Sequence, residues 1–279
     1  MPKIRSNVVA FGDTHCGSAR GLWPDSLITE GGNTIVANEI QSWLKECFDH
    51  MRDEVRKIRP KPTGVFMGDG IQGGNEKQRE LCTNKTSTQA YALRRMMEPM
   101  RPHFRELFWV RGTAYHVGDG AEDVETTAEM LDATPVTKEG QPVSYTRWDV
   151  NIRLGDSKND PVANFAHTIG ASRVAAYQAS VPLRDTLAFI DEVRRYTSDS
   201  PDVKVVVRAH RHRSVVVGVP PDIWGAVVPC WQYQSEYSRQ RGMTLWPHIG
   251  WMLIQWDGQD IVIKPRTYTG PQIRVEVVR

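Results

Sequence analysis

Five of the eight histidines in this 279-residue chain lie shortly after the abrupt end of an apolar segment. Asp13-Thr14-His15 follows the run 7–11, Asp69 closes 64–68, and His116 lies just beyond 107–110. His167 ends 162–166, and His210-Arg211-His212 follows 203–207. Aspartate oxygens and neutral imidazoles, with no cysteine among them, make a mixed ligand set suited to manganese, iron or zinc. A carboxylate has two oxygens and can bridge two cations, which an imidazole cannot. Asp69, alone at its segment end, is the natural bridge. Two cations about 4 Å apart clamp a phosphoryl oxygen and generate hydroxide near neutral pH.

Each motif also has an ordinary reading. Asp13 could cap a turn beside a surface histidine. Asp69 in Gly68-Asp69-Gly70 could be a plain turn residue. His167, after an apolar strand, could be a hydrogen-bonded core histidine. His210 and His212 are spaced so that an extended chain aims both rings the same way. The metal reading rests on their joint occurrence, each at a strand end.

The elements that must position these groups follow from hydrophobic periodicity. Strands are expected at 7–11, 64–69, 107–110, 162–166 and 203–207, with further β runs at 214–219, 225–231, 250–256 and 260–268. Apolar residues at 36, 40, 43, 44, 47, 51, 55 and 58 trace one helical face over 35–58, which Arg59-Pro-Lys-Pro ends. Leu93, Met96, Met97 and Met100 suggest a second helix, and Ser180-Val-Pro182 opens a third reaching about Tyr196. Alternation over 143–154 puts Trp148, Val150, Ile152 and Leu154 on one face, as in a half-buried strand. Such an alternation of strand and helix predicts one α/β domain over 1–279, with an antiparallel β-rich C-terminal part over 203–279. In such sheets ligands gather beyond the carboxyl ends of the strands, so the motifs can converge on one crevice.

Gly12-Asp13-Thr14-His15, Gly68-Asp69, Arg111-Gly112-Thr113 with His116, a lone His167 and Ala209-His210-Arg211-His212 together resemble the calcineurin-like metallophosphoesterase superfamily. The resemblance runs from residue 8 to about 215, and its Arg-Gly-Thr version is similar to metallophosphoesterases carried by bacteriophages. It implies a four-layer α-β-β-α sandwich, two mixed β-sheets packed face to face and flanked by helices. Two divalent metal ions are implied, manganese first, with iron, zinc, magnesium or nickel as alternatives. Asp13, His15, Asp69 and His212 would hold the first ion, and Asp69, His167 and His210 the second. The family's third motif carries Asn and then His, whereas Thr113 follows Gly112 here and the next histidine is His116. A hydroxyl is a poorer ligand than an amide carbonyl. That position therefore falls to Thr113, to a water, or to an acid from Glu122, Asp123 or Glu125. His116 would act as general acid or transition-state donor, and Arg111 would hold the phosphoryl oxygens with its planar fork. The alternatives are a loop histidine and a strand-end salt bridge.

Composition bounds the partners. Hydrophobic residues make up 40% and charged residues 24%, the balance of an ordinary soluble globular chain. Lys and Arg exceed Asp and Glu by 35 − 33 = 2, so a protein living mainly on phosphate-backbone attraction is not indicated. The longest apolar run, near 224–231, falls short of the about 20 residues that cross a bilayer, and no export signal is visible. Cys16, Cys47, Cys82 and Cys230 show no metal or redox spacing and read as reduced thiols of a cytoplasm-like compartment, a host cytoplasm for a phage protein. Loops 16–34 and 70–88 should border the site with Arg20, Trp23, Gln72, Lys77, Arg79 and Lys85. Arg208, Arg211 and Arg213 surround the histidine pair, either binding substrate or forming a solvated edge. Tryptophans 224, 231, 246, 251 and 256, with Tyr233, Tyr237, Arg239 and Arg241 among them, could stack nucleobases, although most should fill the core. Trp246, beside Pro247, is the one expected in the open. The expected activity is hydrolysis of phosphodiesters of a nucleotide or single-stranded nucleic acid. The alternatives are a phosphomonoesterase of the protein-phosphatase type and an inactive nucleic-acid-binding module.

Overall fold

The first strand sets the architecture. In β1 (Ser6–Phe11), Val8 and Ala10 point to one apolar cluster and Val9 and Phe11 to another, all buried. A strand apolar on both faces needs cover on both. The computed structural model describes residues 3–74, 80–170, 177–197, 201–240 and 246–271. Lys77, Arg79 and Arg241 lie outside them.

After β1 come a small hairpin, β2 (Ser26–Ile28) and β3 (Thr34–Val36), then α1 (Glu39–Val55), β4 (Thr63–Phe66), α2 (Thr86–Met97) and β5 (Leu107–Val110). Two short helices follow, α3 (Ala114–Val117) and α4 (Glu122–Met130), and a second hairpin, β6 (Val136–Lys138) with β7 (Gln141–Ser144). The chain then crosses between sheets through β8 (Thr146–Arg147) and β9 (Asp149–Arg153), and continues with β10 (Val162–Ala166), α5 (Ser180–Tyr196) and β11 (Val203–Arg208). It closes with β12 (Val215–Val219), β13 (Ile223–Val227), α6 (Glu236–Gln240), β14 (Ile249–Trp256) and β15 (Ile261–Tyr268).

Among the described residues one sheet has the order β15-β14-β1-β4-β5-β8, and the other β12-β13-β11-β10-β9. In the first, β1, β4, β5 and β8 run parallel and β14 runs antiparallel to β1. In the second, β11 is parallel to both β10 and β13, with antiparallel edges. Between the sheets Val8, Ala10, Val65 and Met252 meet Phe165, Val205 and Val207. Leu44, Phe48 and Met51 of α1, Leu93 and Met97 of α2 and Val124 of α4 cover the other face of the first sheet. Ile190 of α5 packs on Val162, Val203 and Val206 of the second. The result is the expected four-layer α-β-β-α sandwich.

Three local expectations are corrected. The helix assigned from residue 35 begins at Glu39. Asn38 Oδ1 accepts from the Gln41 amide at 3.0 Å, and Gln41 Oε1 accepts from the Asn38 amide at 3.1 Å. This reciprocal cap fixes the helix start, so Ile35 and Val36 join the hairpin instead. Trp148 does not share the buried face of Val150, Ile152 and Leu154 and is 66% exposed. The alternation breaks there because the chain leaves β8 in one sheet and enters β9 in the other. Finally, the C-terminal part is not wholly antiparallel, and its strands are divided between the two sheets. β14, apolar on both faces, returns to lie against β1. The β11–β13 pair within that C-terminal part is parallel.

Replacing Asn38 by Ala removes one half of the cap and is expected to lower stability by about 1 kcal/mol in urea unfolding. An unchanged midpoint would show that packing of Leu44 and Phe48, not the cap, sets the helix start.

Candidate metal centre

The parallel strands β1, β4, β10 and β11 end at one side of the sandwich, and their last residues lead directly into Asp13, Asp69, His167 and His210. The loops after β1 and β4 are tied together: the Asp13 amide donates to the Gly68 carbonyl at 2.9 Å, and the His15 amide to the Asp69 carbonyl at 3.0 Å. Asp13, His15, Asp69, His210 and His212 all have φ between 44° and 68°. Left-handed non-glycine backbone is costly and gathers where surrounding structure enforces it, typically at functional sites. The neighbouring glycines allow the close packing that does so. A Cβ on Gly112 would fall 2.1 Å from Asp69 Oδ1, and one on Gly68 would fall 2.8 Å from His167 Nδ1.

Six of the side chains singled out from the sequence meet here. Asp13, His15 and His212 offer ligand atoms within 4.8 Å of one another, and so do Asp69, His167 and His210. His15, Asp69 and His116 form a third such group, so Asp69 is shared. His15 Nε2 and His212 Nε2 lie 3.9 and 3.8 Å from Asp13 Oδ1 and 3.1 Å from each other. His167 Nε2 and His210 Nδ1 lie 3.0 and 3.8 Å from Asp69 Oδ2. Asp13 is anchored through Oδ2 and Asp69 chiefly through Oδ1, which leaves Oδ1 of the one and Oδ2 of the other facing imidazoles. Asp13 Oδ2 accepts from the His210 amide at 3.0 Å, and Asp69 Oδ1 accepts from the Thr113 amide at 2.7 Å and its hydroxyl at 3.2 Å.

The donor set fits divalent cations on an observation of its own. Asp13 Oδ1, His15 Nδ1 and His167 Nε2 are buried with no hydrogen-bond partner. His167 Nδ1 lies 2.6 Å from the Met67 carbonyl, which can only accept, so Nδ1 carries the proton and Nε2 faces Asp69 Oδ2 as a lone pair. Buried acceptors turned toward one another need a proton or a cation between them. Without a cation, burial opposes charge on His167 but the Asp69 and Asp13 carboxylates outweigh it, and its pKa rises to about 9. Burial lifts Asp13 to about 6. Burial, aided by the neighbouring imidazoles, takes His212 down to about 3 and His15 well below its usual range.

The other expected residues fall in different places. His116 Nδ1 hydrogen-bonds the Gln72 carbonyl at 2.8 Å, and its ring stands 4.5 Å from that of His15, edge to face. Thr113 binds Asp69 as a donor, as described. Glu125 bonds the Thr146 amide at 3.1 Å and the Ser144 hydroxyl at 3.0 Å, and also the Tyr145 amide, while Glu122 and Asp123 sit in the first turn of α4. Although burial opposes its charge, these bonds hold the Glu125 carboxyl below the usual range. Arg111 is not turned to the cluster: Nε donates to Thr146 Oγ1 at 2.8 Å, Nη2 lies 3.8 Å from Glu125, and the guanidinium stacks on Trp148. Arg211 donates to the Gln178 carbonyl at 3.1 Å. Trp246, 43% exposed, packs on Tyr233, and its carbonyl accepts from Arg213 at 2.6 Å.

Arg208 neither binds at the rim nor forms a solvated edge. It is buried, paired with Asp185 at 2.9 Å and bonded to Asn164 Oδ1 at 2.7 Å. Trp23, expected at the mouth, is fully buried in the core under α1. Arg20 pairs with Glu80 at 3.1 Å, and Lys85 with Glu30. Sequence reading missed the Met67 carbonyl, the Gln232–Gln72 side-chain bond of 2.9 Å and His248, whose amide holds the His212 carbonyl at 2.8 Å. A backbone carbonyl is common to every residue type, so Met67 leaves no signal in the letters.

No protein-family model matches the sequence, and no curated protein matches it. Among solved structures, the chain is similar to a dimetal phosphatase from Danio rerio at 8% identity and TM-score 0.47, covering 95% of this chain and 97% of that one. It is also similar to a predicted phosphoesterase from Streptococcus pneumoniae TIGR4 at 9% identity and TM-score 0.37, covering 94% and 98%. At scores this low neither likeness bears on what this chain does.

A pH test follows from His167. Its folded pKa, raised to about 9 from 6.5, makes the chelator-treated protein bind more protons folded than unfolded between those values. Its contribution to stability is therefore full below pH 6.5 and is lost as the pH climbs through 9. Urea unfolding of the chelated chain should show stability falling across that window, with the slope reduced in His167→Gln and by added manganese. A slope unaffected by either change would remove His167 from the pocket's charge balance.

Proposed function

We propose that this chain is a dinuclear-metal phosphoesterase acting on phosphodiesters, a hydrolase of the metallophosphoesterase kind. The observation that carries the reading is the pair of clusters, Asp13 with His15 and His212, and Asp69 with His167 and His210, in which Asp13 Oδ1 and His167 Nε2 are buried without a hydrogen-bond partner. Divalent ions held there, manganese first among them, would polarise a phosphoryl oxygen and ready a water for in-line attack. Asp69, common to two of the three groups, is the candidate bridge.

The chain's own residues supply the rest. The Thr113 amide and hydroxyl fix the Asp69 carboxylate, so Thr113 acts on the site by orienting a ligand. The Gln72 carbonyl accepts a hydrogen bond from His116 Nδ1–H, which leaves Nε2 to exchange a proton with a departing oxygen. Arg111 spends its fork on Glu125 and Thr146. A doubly charged monoester would call for that fork at the cluster, and a singly charged diester does not, which favours the diester. The nearly neutral chain favours a nucleotide or a short single strand over long duplex.

Elemental analysis of the purified chain should find transition metal approaching two ions per chain. In manganese it should cleave bis-p-nitrophenyl phosphate faster than p-nitrophenyl phosphate; the reverse order would replace the diesterase with a monoesterase. Asp69→Asn should fold normally and lose at least about 100-fold in kcat, since the ion pair contributes several kcal/mol. Wild-type turnover in that variant would reduce Asp69 to a turn residue, and oligonucleotide binding without any turnover would indicate an inactive binding module.

A further inference from the structure

We propose that Trp148, backed by Arg111, is a stacking platform for the nucleobase beside the scissile phosphate, which makes the substrate a nucleoside phosphodiester, free or within a single strand. The proposal rests on the phosphoesterase reading and adds the group that recognises the substrate.

Strand register places the indole. Arg147 pairs with Val110 in the first sheet, so the next residue, Trp148, is level with Arg111. Asp149 pairs with Ala166 in the second sheet, so the residue before it, again Trp148, is level with His167. The residue therefore sits where the two sheets meet, at the end of the sandwich that carries the metal clusters. Gly68, whose Cβ would touch both the Arg111 carbonyl and His167 Nδ1 at 2.8 Å, shows how closely those two positions adjoin.

Its surroundings suit stacking. Trp23, Trp109, Trp231 and Trp251 are each less than 2% exposed, whereas Trp148 is 66% exposed. The Arg111 guanidinium lies 5.4 Å from its ring centroid. Thr146 and Glu125 hold that guanidinium in place. A cation on a ring face is attracted to the π cloud, and the ring remains 66% exposed beside it. Every base has a π face, so an exposed indole at that end of the sandwich can bind bases with little sequence preference. The other exposed tryptophan, Trp246, instead packs on Tyr233.

Two esters with the same leaving group test this: thymidine 5′-(p-nitrophenyl phosphate) and methyl p-nitrophenyl phosphate, which differ in the nucleoside. In Trp148→Ala the ratio of kcat/KM for the thymidine ester to that for the methyl ester should fall about tenfold, through KM, near the lower end of what one stacked base contributes. Trp148→Phe, which keeps a ring, should hold the ratio within about threefold. An unchanged ratio in Trp148→Ala overturns the platform, and continued hydrolysis of both esters would leave the phosphoesterase reading standing. If the wild-type chain cleaves neither ester in saturating manganese, that reading falls instead. Binding of a fluorescein-labelled oligothymidylate then decides the platform: loss of about fivefold or more in Trp148→Ala supports it, and equal binding overturns it.

Discussion

Two carboxylate oxygens and several imidazole nitrogens are turned toward one another at a largely buried centre, and they do not all satisfy each other. Asp13 Oδ1 and His167 Nε2 have no hydrogen-bond partner, although backbone amides hold both aspartates through their other oxygens. Such an arrangement is unfavourable unless positive charge enters it, as a proton on His167 or as metal ions. The nearby backbone is shaped to keep it. Five of the six side chains stand on left-handed residues, and Gly68 and Gly112 admit the loops at distances a Cβ would forbid.

The two-sheet architecture serves this convergence. Parallel strands deliver their ends to one side of a sheet, so β1 and β4 bring Asp13 and Asp69 together. β10 and β11 do the same for His167 and His210 in the second sheet. Packing Val8, Ala10 and Val65 against Phe165 and Val207 superimposes the two sets of ends. The ends of β1 and β4 carry Asp13, His15 and Asp69, and those of β10 and β11 carry His167, His210 and His212, so the clusters form only where the two sheets meet.

Much of this was legible in the letters. The central strands and the helices α1 and α2 follow from periodicity, α5 from its Ser180-Val-Pro182 start, and the six metal-type residues stand out by sitting at strand ends. What misled was local pattern where chain direction changed. Trp148 continues the alternation of Val150 and Ile152, but the chain switches sheets at that point, so the indole faces solvent. Ile35 and Val36 fit the face of α1, but the Asn38–Gln41 cap starts the helix after them. Arg208 looked like part of a basic rim, and Asp185 on α5 with Asn164 on the adjacent strand made it a buried ion-pair member.

Residue types and their order determined the chemistry available, because carboxylates and imidazoles at strand ends are ligand groups wherever the ends meet. Tertiary structure decided which of those groups converge and which charges are spent elsewhere. Arg111 faces Glu125, and His167 is aimed by a carbonyl that any residue at position 67 would provide. Contacts of that kind join residues far apart in the chain through backbone atoms and side-chain directions, and neither is written in the identity of a residue.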